Sequence, residues 1–396
     1  MVQKTTEGKT VLFLHGSADL YGSSLILLFV IESAMKIGVD PVVVLPYRGQ
    51  LSVELEKRGV KVKIQNLGVL RRKYFNPLGL ANRILKLFAA YRFLNKLHRE
   101  NRFSLIYTNT LAVLVGAFFA RNKGIAHVWH VHEIIPSPSF LVKFLAGQMK
   151  SSDHVLAVSK AVSDHWKSFG VQGNVKVIHN GIPIRDTHKP EWDLKAGLGI
   201  KASQIVVTMV GRVNPGKGQF FYLDMAKEIL KTRQDVVFLM AGDPYPGYEF
   251  ILDEMKEFIR KHEMEDNVID LGFRSDIADI LDISDIFVLP SIMPDSFPTV
   301  ILEAMGAGLP VVATRSGGAA EMVEDGINGY LITVSDVKAG TKCLFGLIED
   351  KELRKEMGRK SQNRAKALFG LERFDQEIKS YLGQVLQQRK PETHPS

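Results

Sequence analysis

Residues 295–321 read D-S-F-P-T-V-I-L-E-A-M-G-A-G-L-P-V-V-A-T-R-S-G-G-A-A-E. The stretch places an acid at each end of a short helical pattern, and its glycines stand where a chain must pass close to a ligand. Ser296 is positioned to cap the helix, and Pro298 suits a first turn, where the amide it lacks has no intrahelical partner. The amides of Thr299, Val300 and Ile301 then leave the helix start unpaired, at the positive end of its dipole, which makes a site for a phosphate. Glu303 lies inside the helix, where its carboxylate can accept from a ribose diol, and Asp295 faces whatever extends beyond the phosphates. The same residues also read as an ordinary capped helix feeding a buried strand, Leu309 to Ala313.

A second stretch, G-R-V-N-P-G-K-G from Gly211 to Gly218, lies one strand-helix series upstream. Ile205 to Val210 is an almost continuous apolar run suited to a buried parallel strand, and Gly216 to Leu230 reads as the helix after it. Arg212 and Lys217 can hold a diphosphate between them, the arginine as a fork and the lysine as a point charge. Each such charge-assisted contact contributes roughly 1.5–3 kcal/mol. The spacing G-x-x-x-x-G-K is also that of a phosphate-binding P-loop, but Gly218 stands where that motif needs a Ser or Thr for magnesium. A glycine-rich turn with two solvated cations is the plain alternative.

The pairing of G-R-x-x-x-x-K-G with D/E-S-F-x-x-x-x-x-E and a trailing G-G-x-x-E resembles the retaining family 4 glycosyltransferases of GT-B architecture. The resemblance runs through nearly the whole chain and is most specific in the C-terminal half. It implies that Arg212 and Lys217 bind the donor diphosphate, that Glu303 holds the ribose, and that Asp295 contacts the transferred sugar. Backbone amides around Pro298 to Val300, following Ser296, serve the phosphates and sugar. The departure is Asp295, one methylene shorter than the family's usual glutamate. The segment D-L-G-F-R, Asp270 to Arg274, resembles the family's turn beside the nucleobase, which assigns Phe273 and Arg274 to the base. Nothing in that turn separates uridine from guanosine or adenosine.

Thr10 to Leu14 reads as a strand leading through G-S-A-D-L-Y-G-S-S into a helix that begins near Ser23. This resembles the family's first loop and assigns Gly22 to the donor phosphate. Ala126 to Val131 makes another strand running into H-E-I, and His132 resembles the histidine placed near the reacting sugar, with Glu133 beside it. His130 alternates with His132, yet two histidines and one glutamate do not form a convincing metal set. Asn109 follows another strand, where α/β sheets collect ligands. It reads equally as a helix N-cap for Leu111 onward.

The 396 residues exceed one core, and apolar runs alternate with amphipathic helices. The expected fold is α/β GT-B, two Rossmann-like domains facing each other across a cleft. Residues 1–183 form the acceptor-side domain and 184–370 the donor-binding domain, with a helix at about 371–388 packing back on the first. The boundary is placed in the turn-rich stretch Ile178 to Trp192, and the tail Arg389 to Ser396 is expected to be disordered.

Charge is uneven. The first 190 residues carry 26 Lys and Arg against 11 Asp and Glu, whereas the remainder carries 25 against 32. Arg71 to Arg102 holds nine cations and only Glu100 as an acid. Within it Leu80, Ile84, Leu87, Phe88, Tyr91 and Leu94 recur at helical spacing, so that face is expected to pack on a sheet with the cations solvated. The basic rim also suits an anionic membrane surface or an acidic acceptor. No nucleic-acid-binding module is evident, and the acidic second half argues against a general nucleic-acid footprint. The single Cys343 excludes an internal disulfide and suits a reducing compartment. No apolar run is long enough to span a membrane, and no signal peptide is evident, so a cytoplasmic location is expected.

By resemblance the reaction is transfer of a sugar from a nucleotide-sugar donor to a glycan or lipid-linked acceptor, as in cell-surface polysaccharide assembly. Configuration is retained, and the leaving phosphate helps to take the acceptor's proton. His132, Asp295, Arg212 and Lys217 surround the reacting centre. No cofactor or metal is expected, the nucleotide sugar being a substrate. A sugar-nucleotide epimerase or phosphorylase of the same fold, and a non-catalytic nucleotide-sugar binding protein, are the alternatives.

Overall fold

The computed structural model describes residues 6, 8–71, 74–173, 175–184, 192–245 and 247–388, without the side chains of Trp192 and Asp193. Arg72 and Lys73, most of the expected boundary loop (185–191) and the tail 389–396 lie outside the described residues. The chain divides into two compact units, Met1–Gly181 with Glu372–Ser396, and Ile182–Leu371.

Unit 1 is built on seven parallel strands: β1 (Thr10–His15), β2 (Asp40–Leu45), β3 (Lys61–Ile64), β4 (Leu105–Asn109), β5 (Ala126–Val131), β6 (His154–Ala157) and β7 (Val175–Val177). They lie in the order β3-β2-β1-β4-β5-β6-β7. Runs such as V-L-F-L and L-I-Y-T are buried on both faces, because helices cross over each side of a parallel sheet. Helix α1 (Gly22–Lys36) follows β1 directly. Helix α2 (Pro77–Asn101) starts where Asn76 Oδ1 accepts from Gly79 N at 2.8 Å, with Pro77 in its first turn.

The apolar face of α2 packs over only part of its length. Ala90, Leu94 and Leu97 join the core with Leu12, Leu14 and Phe119. The early turns project instead, leaving Leu78 84%, Ile84 56%, Leu85 69% and Phe88 63% exposed, which corrects the expectation of a fully packed face. The reason is length. The helix has 25 residues, about 37 Å at 1.5 Å per residue, whereas strands of five or six residues run about 17–20 Å. Its first half overhangs the sheet.

The C-terminal helix, Leu371–Gln387, completes unit 1. It buries Phe374, Ile378 and Leu382. Asp375 accepts from the Ser33 hydroxyl at 2.8 Å and from Lys36 at 2.9 Å, and Arg373 donates to the His179 carbonyl at 2.6 Å. Lys9 donates to the Leu386 carbonyl at 2.5 Å near the helix end.

Unit 2 has six parallel strands: β8 (Ile205–Val210), β9 (Val236–Ala241), β10 (Val268–Asp270), β11 (Ile286–Leu289), β12 (Val311–Thr314) and β13 (Gly329–Ile332). Their order is β10-β9-β8-β11-β12-β13. The sequence reading had no counterpart for β7 or β13, the edge strands of three and four residues. Each sheet reverses its strand order beside its own first strand, at β1/β4 and at β8/β11. Loops leaving those neighbouring strand ends part to opposite faces and open a crevice at the carboxyl edge, where α/β sheets bind ligands. Loop 211–218 and loop 290–298 therefore meet at one crevice of unit 2, and His15 pairs in register with Asn109 at that of unit 1.

Because Phe374 is fully buried in unit 1, Phe374→Ala is expected to cost about 3–5 kcal/mol. Urea unfolding followed by tryptophan fluorescence measures this, and an unchanged midpoint would show that the last helix is not part of that core.

Candidate functional site

In unit 2 the loop after β8 is organised by its own polar residues. Asn214 Oδ1 accepts from Gly216 N at 2.9 Å while its Nδ2 donates to the Arg212 carbonyl at 3.1 Å. Gln219 Nε2 donates to the same carbonyl at 3.1 Å. Gly218 has φ +77°, and a Cβ there would collide with the Pro290 carbonyl at the end of β11. Helix α4 therefore begins at Gln219 and runs to Leu230, three residues later than the spacing suggested, since Gly218 is spent on the turn. The loop delivers Lys217 to the carboxylate of Asp295, and the two form a partly buried ion pair. The Arg212 guanidinium lies 5.6 Å from the ring centroid of Tyr245, within cation–π reach.

The second loop departs from its expected start. Ser296 does not cap the helix: α5 (Thr299–Gly306) begins after Pro298, whose backbone is extended. Phe297 is buried against Phe369, with ring centroids 5.7 Å apart, so the chain is anchored there before it turns into the helix. The Ile301 amide donates to the Pro298 carbonyl at 3.0 Å, which removes it from the expected trio and leaves Thr299 and Val300 to head the helix. Asp295 is seated from behind. Its carbonyl accepts from Gly318 N at 2.8 Å. Gly317, at φ +58°, lies so close that a Cβ would strike the same oxygen. Glu303 is half-buried, and burial raises its carboxyl above the usual range while a hydrogen bond from Thr299 opposes the shift. At the expected base turn, Arg274 Nε donates to Asp276 at 2.7 Å and its terminal nitrogen binds the other carboxylate oxygen. Phe273 alone projects, 54% exposed.

In unit 1, Gly22 is the first residue of α1, and a Cβ there would meet no protein atom within 4 Å. Any need for glycine at that position comes from outside the chain. Asn109 is fully buried, and no helix starts at Leu111: the next begins at Val115, which sets aside the N-cap reading. Instead, Asn109 Nδ2 donates to the Ser23 carbonyl at 3.1 Å and Oδ1 faces His132 Nε2 at 2.9 Å. With Oδ1 able only to accept, Nε2 of His132 carries the proton and Nδ1 keeps its lone pair. His15 Nδ1 donates to the Asn109 carbonyl at 2.8 Å, and its Nε2 pairs with Ser24 Oγ at 2.9 Å.

Glu133 does not extend toward a ligand. It accepts from Leu111 N at 3.1 Å, from His132 N at 2.9 Å and from the Thr110 hydroxyl. Thr110 has φ +129°, a strained conformation that this carboxylate holds in place at the end of β4. His130 packs on His132 with ring centroids 4.2 Å apart and planes tilted by 50°, and pairs its Nδ1 with the Tyr107 hydroxyl at 2.8 Å. Burial lowers His15 to about 4 and His130 to about 3, and holds His132 well below its ordinary value, so all three rings are neutral at neutral pH. Among the described residues no group of three His, Cys, Asp or Glu side chains is arranged to hold a metal. His15, Ser24, Tyr107, Thr110 and Tyr245 were not singled out from the sequence. Only His15 carried a usable signal, a polar residue at the carboxyl end of an apolar strand.

Comparison with known proteins matches residues 190–364 to the family described as glycosyl transferases group 1, and residues 32–186 to glycosyltransferase family 4. The Escherichia coli UDP-Gal:alpha-D-GlcNAc-diphosphoundecaprenol alpha-1,3-galactosyltransferase is 28% identical over 66% of this chain and 70% of its own length. The Bacillus anthracis N-acetyl-alpha-D-glucosaminyl L-malate synthase is 28% identical over 64% of this chain and 65% of its own length. A crystal structure of Anabaena HepE in complex with UDP-glucose superposes with a TM-score of 0.82 at 27% identity, covering 95% of this chain and 99% of that one. Two parallel-sheet units, two glycine-pinned loops meeting at the unit 2 crevice and these matches converge: the chain belongs to the group 1, family 4 glycosyltransferases of GT-B architecture, enzymes that use a nucleotide-sugar donor.

Proposed function

We propose that the protein is a retaining, metal-independent glycosyltransferase that takes its nucleotide sugar on unit 2 and passes the sugar to a glycan or lipid-linked acceptor on unit 1. The observation that carries this reading is the Lys217–Asp295 pair at the crevice beside the start of α5. In the free protein the carboxylate neutralises the lysine. A donor diphosphate, with more charge, takes Lys217 and releases Asp295 toward the sugar. Arg212, Lys217 and the amides of Thr299 and Val300 then face the oxygen on which negative charge grows as the sugar–phosphate bond breaks. Glu303, half-buried on α5, accepts from the ribose.

The acceptor oxygen bonds to the anomeric carbon on the face the phosphate leaves, and its proton passes to the departing phosphate oxygen. His132 stabilises the sugar through its unprotonated Nδ1, held in that tautomer by Asn109. Asn109 thereby serves as a positioning residue. Gly22 leaves room for a phosphate, and Phe273 offers an apolar face to the base. Two similar proteins named for UDP-Gal and UDP-glucose make a UDP-sugar the first donor to test. The epimerase, phosphorylase and non-catalytic alternatives are disfavoured by the transferase and synthase names of these relatives.

Contact with an anionic membrane at its cytoplasmic face fits the basic first unit and the overhanging half of α2. Leu78, Leu85 and Phe88 are exposed there beside Lys86 and Arg92, while no described helix is long and apolar enough to cross a membrane. Each cation near such a surface contributes about 1 kcal/mol.

Lys217→Ala is expected to lower turnover of a UDP-sugar roughly 10²–10³-fold, with Lys217→Arg restoring part of it. Unchanged turnover with an intact melting temperature would sink the assignment. Glu303→Gln is expected to weaken calorimetric binding of the donor about tenfold, the loss of a charge-assisted hydrogen bond. Stability should also report the buried histidines. Their folded values, about 4 and about 3, lie below the unfolded value, so the unfolded chain takes up protons first. Stability is therefore complete above about pH 6.5 and is lost as pH falls toward those values, on the order of 3 kcal/mol for each histidine. Denaturant melts between pH 7 and pH 4 measure the slope, and His130→Gln should lessen it.

A further inference from the structure

Unit 1 contains a cavity of about 500 Å³ whose walls include Leu70, Phe75, Ala112, Leu141 and Leu145, with Glu133 at one end. That end adjoins His132, the residue assigned to the reacting sugar. One wall comes from the loop that precedes α2 and packs on it. Leu70 N donates to the Ala112 carbonyl at 2.9 Å, and two residues earlier Gly68 packs so tightly on α2 that a Cβ would lie 3.1 Å from the Arg83 carbonyl. Its other wall is helix α3 (Ser139–Lys150), which turns Leu141 and Leu145 inward and leaves Phe140 68% exposed. Phe75 leads directly into Pro77, the start of the overhanging apolar half of α2. The lining thus extends from Glu133, next in sequence to His132, to Phe75, two residues before the overhanging half of α2.

The lining says what fits. Both oxygens of Glu133 are already bonded within the protein, so that end does not call for a cation. Among the described lining residues Arg71, which is exposed, carries the positive charge. Sugar hydroxyls against Leu70, Phe75, Leu141 and Leu145 would lose water without gaining partners. A hydrocarbon chain loses nothing there, and each buried methylene tightens binding about fourfold.

We propose that this cavity holds the hydrocarbon chain of a lipid-linked acceptor, with Arg71 at its anionic head group and the acceptor's sugar beside His132. The inference rests on the reading of the protein as a glycosyltransferase and names the acceptor class as lipid. Calorimetric titration with decyl phosphate and butyl phosphate, both below their micelle thresholds, tests it on the full chain. Decyl phosphate is expected to bind at least 30-fold more tightly. Ala112→Phe and Leu145→Trp, which fill the cavity, should each weaken decyl phosphate at least tenfold while UDP-glucose binding is unchanged. A bromine-tagged decyl phosphate should quench Trp166, whose Nε1 donates to the Glu133 carbonyl at 2.9 Å. Equal affinity for the two chains, or full-strength decyl binding by both filled variants, would overturn the proposal. Chain-length-dependent binding without any UDP-sugar turnover would support the cavity as a chain site and count against the transferase reading instead.

Discussion

Gly218 lies against the carbonyl of Pro290 in a conformation open to few residues but glycine, and the geometry of the unit 2 crevice depends on that contact. It presses the loop after β8 onto the loop after β11, across the point where the strand order reverses. Lys217 is thereby held within reach of Asp295. A second glycine contact, Gly317 against the carbonyl of Asp295, fixes the carboxylate from the other side. Charge complementarity comes after these backbone approaches, since neither the lysine nor the aspartate could find the other if either loop stood off by one side chain.

The parts of this arrangement visible in the sequence are those set by local chemistry. A nearly continuous apolar run announced β8, and the glycines and cations after it marked the loop that carries Arg212 and Lys217. What escaped was decided by contacts distant in sequence. Ser296 looked like a cap because Ser is a good one, but buried Phe297 anchors the chain past it and the helix starts after Pro298. Asn109 looked equally like a cap or a ligand group, and its partners His15, Ser23 and His132 lie 94, 86 and 23 residues away. The apolar stripe of α2 has correct helical spacing, yet spacing carries no information about how far a sheet extends beneath it. The edge strands β7 and β13 were too short to stand out as hydrophobic runs.

The two units handle charge in opposite ways. Unit 2 keeps its ionic groups near water, with Lys217 and Asp295 each about a fifth exposed, so an incoming anion can exchange partners there at little desolvation cost. Unit 1 buries neutral imidazoles in a network of hydroxyls and amides. A preorganised neutral site can align a sugar without holding a charge that would need a counterion. Tyr107 and Ser24 belong to this network although they touch no expected ligand, because each bonds a ring nitrogen and holds its imidazole in place, while Thr110 acts through Glu133.

The return of the last helix to unit 1 has a bearing on how the chain is made. A ribosome delivers Phe374 and Asp375 only after all of unit 2, so the first unit waits through the synthesis of about 190 further residues with the groove for that helix uncovered. Unit 2, whose sequence is continuous, can close while the first remains incomplete, reversing the usual N-to-C order of domain completion during translation. The apolar groove stays open in that interval, so the finished state of the first unit depends on delivery of the helix Leu371–Gln387.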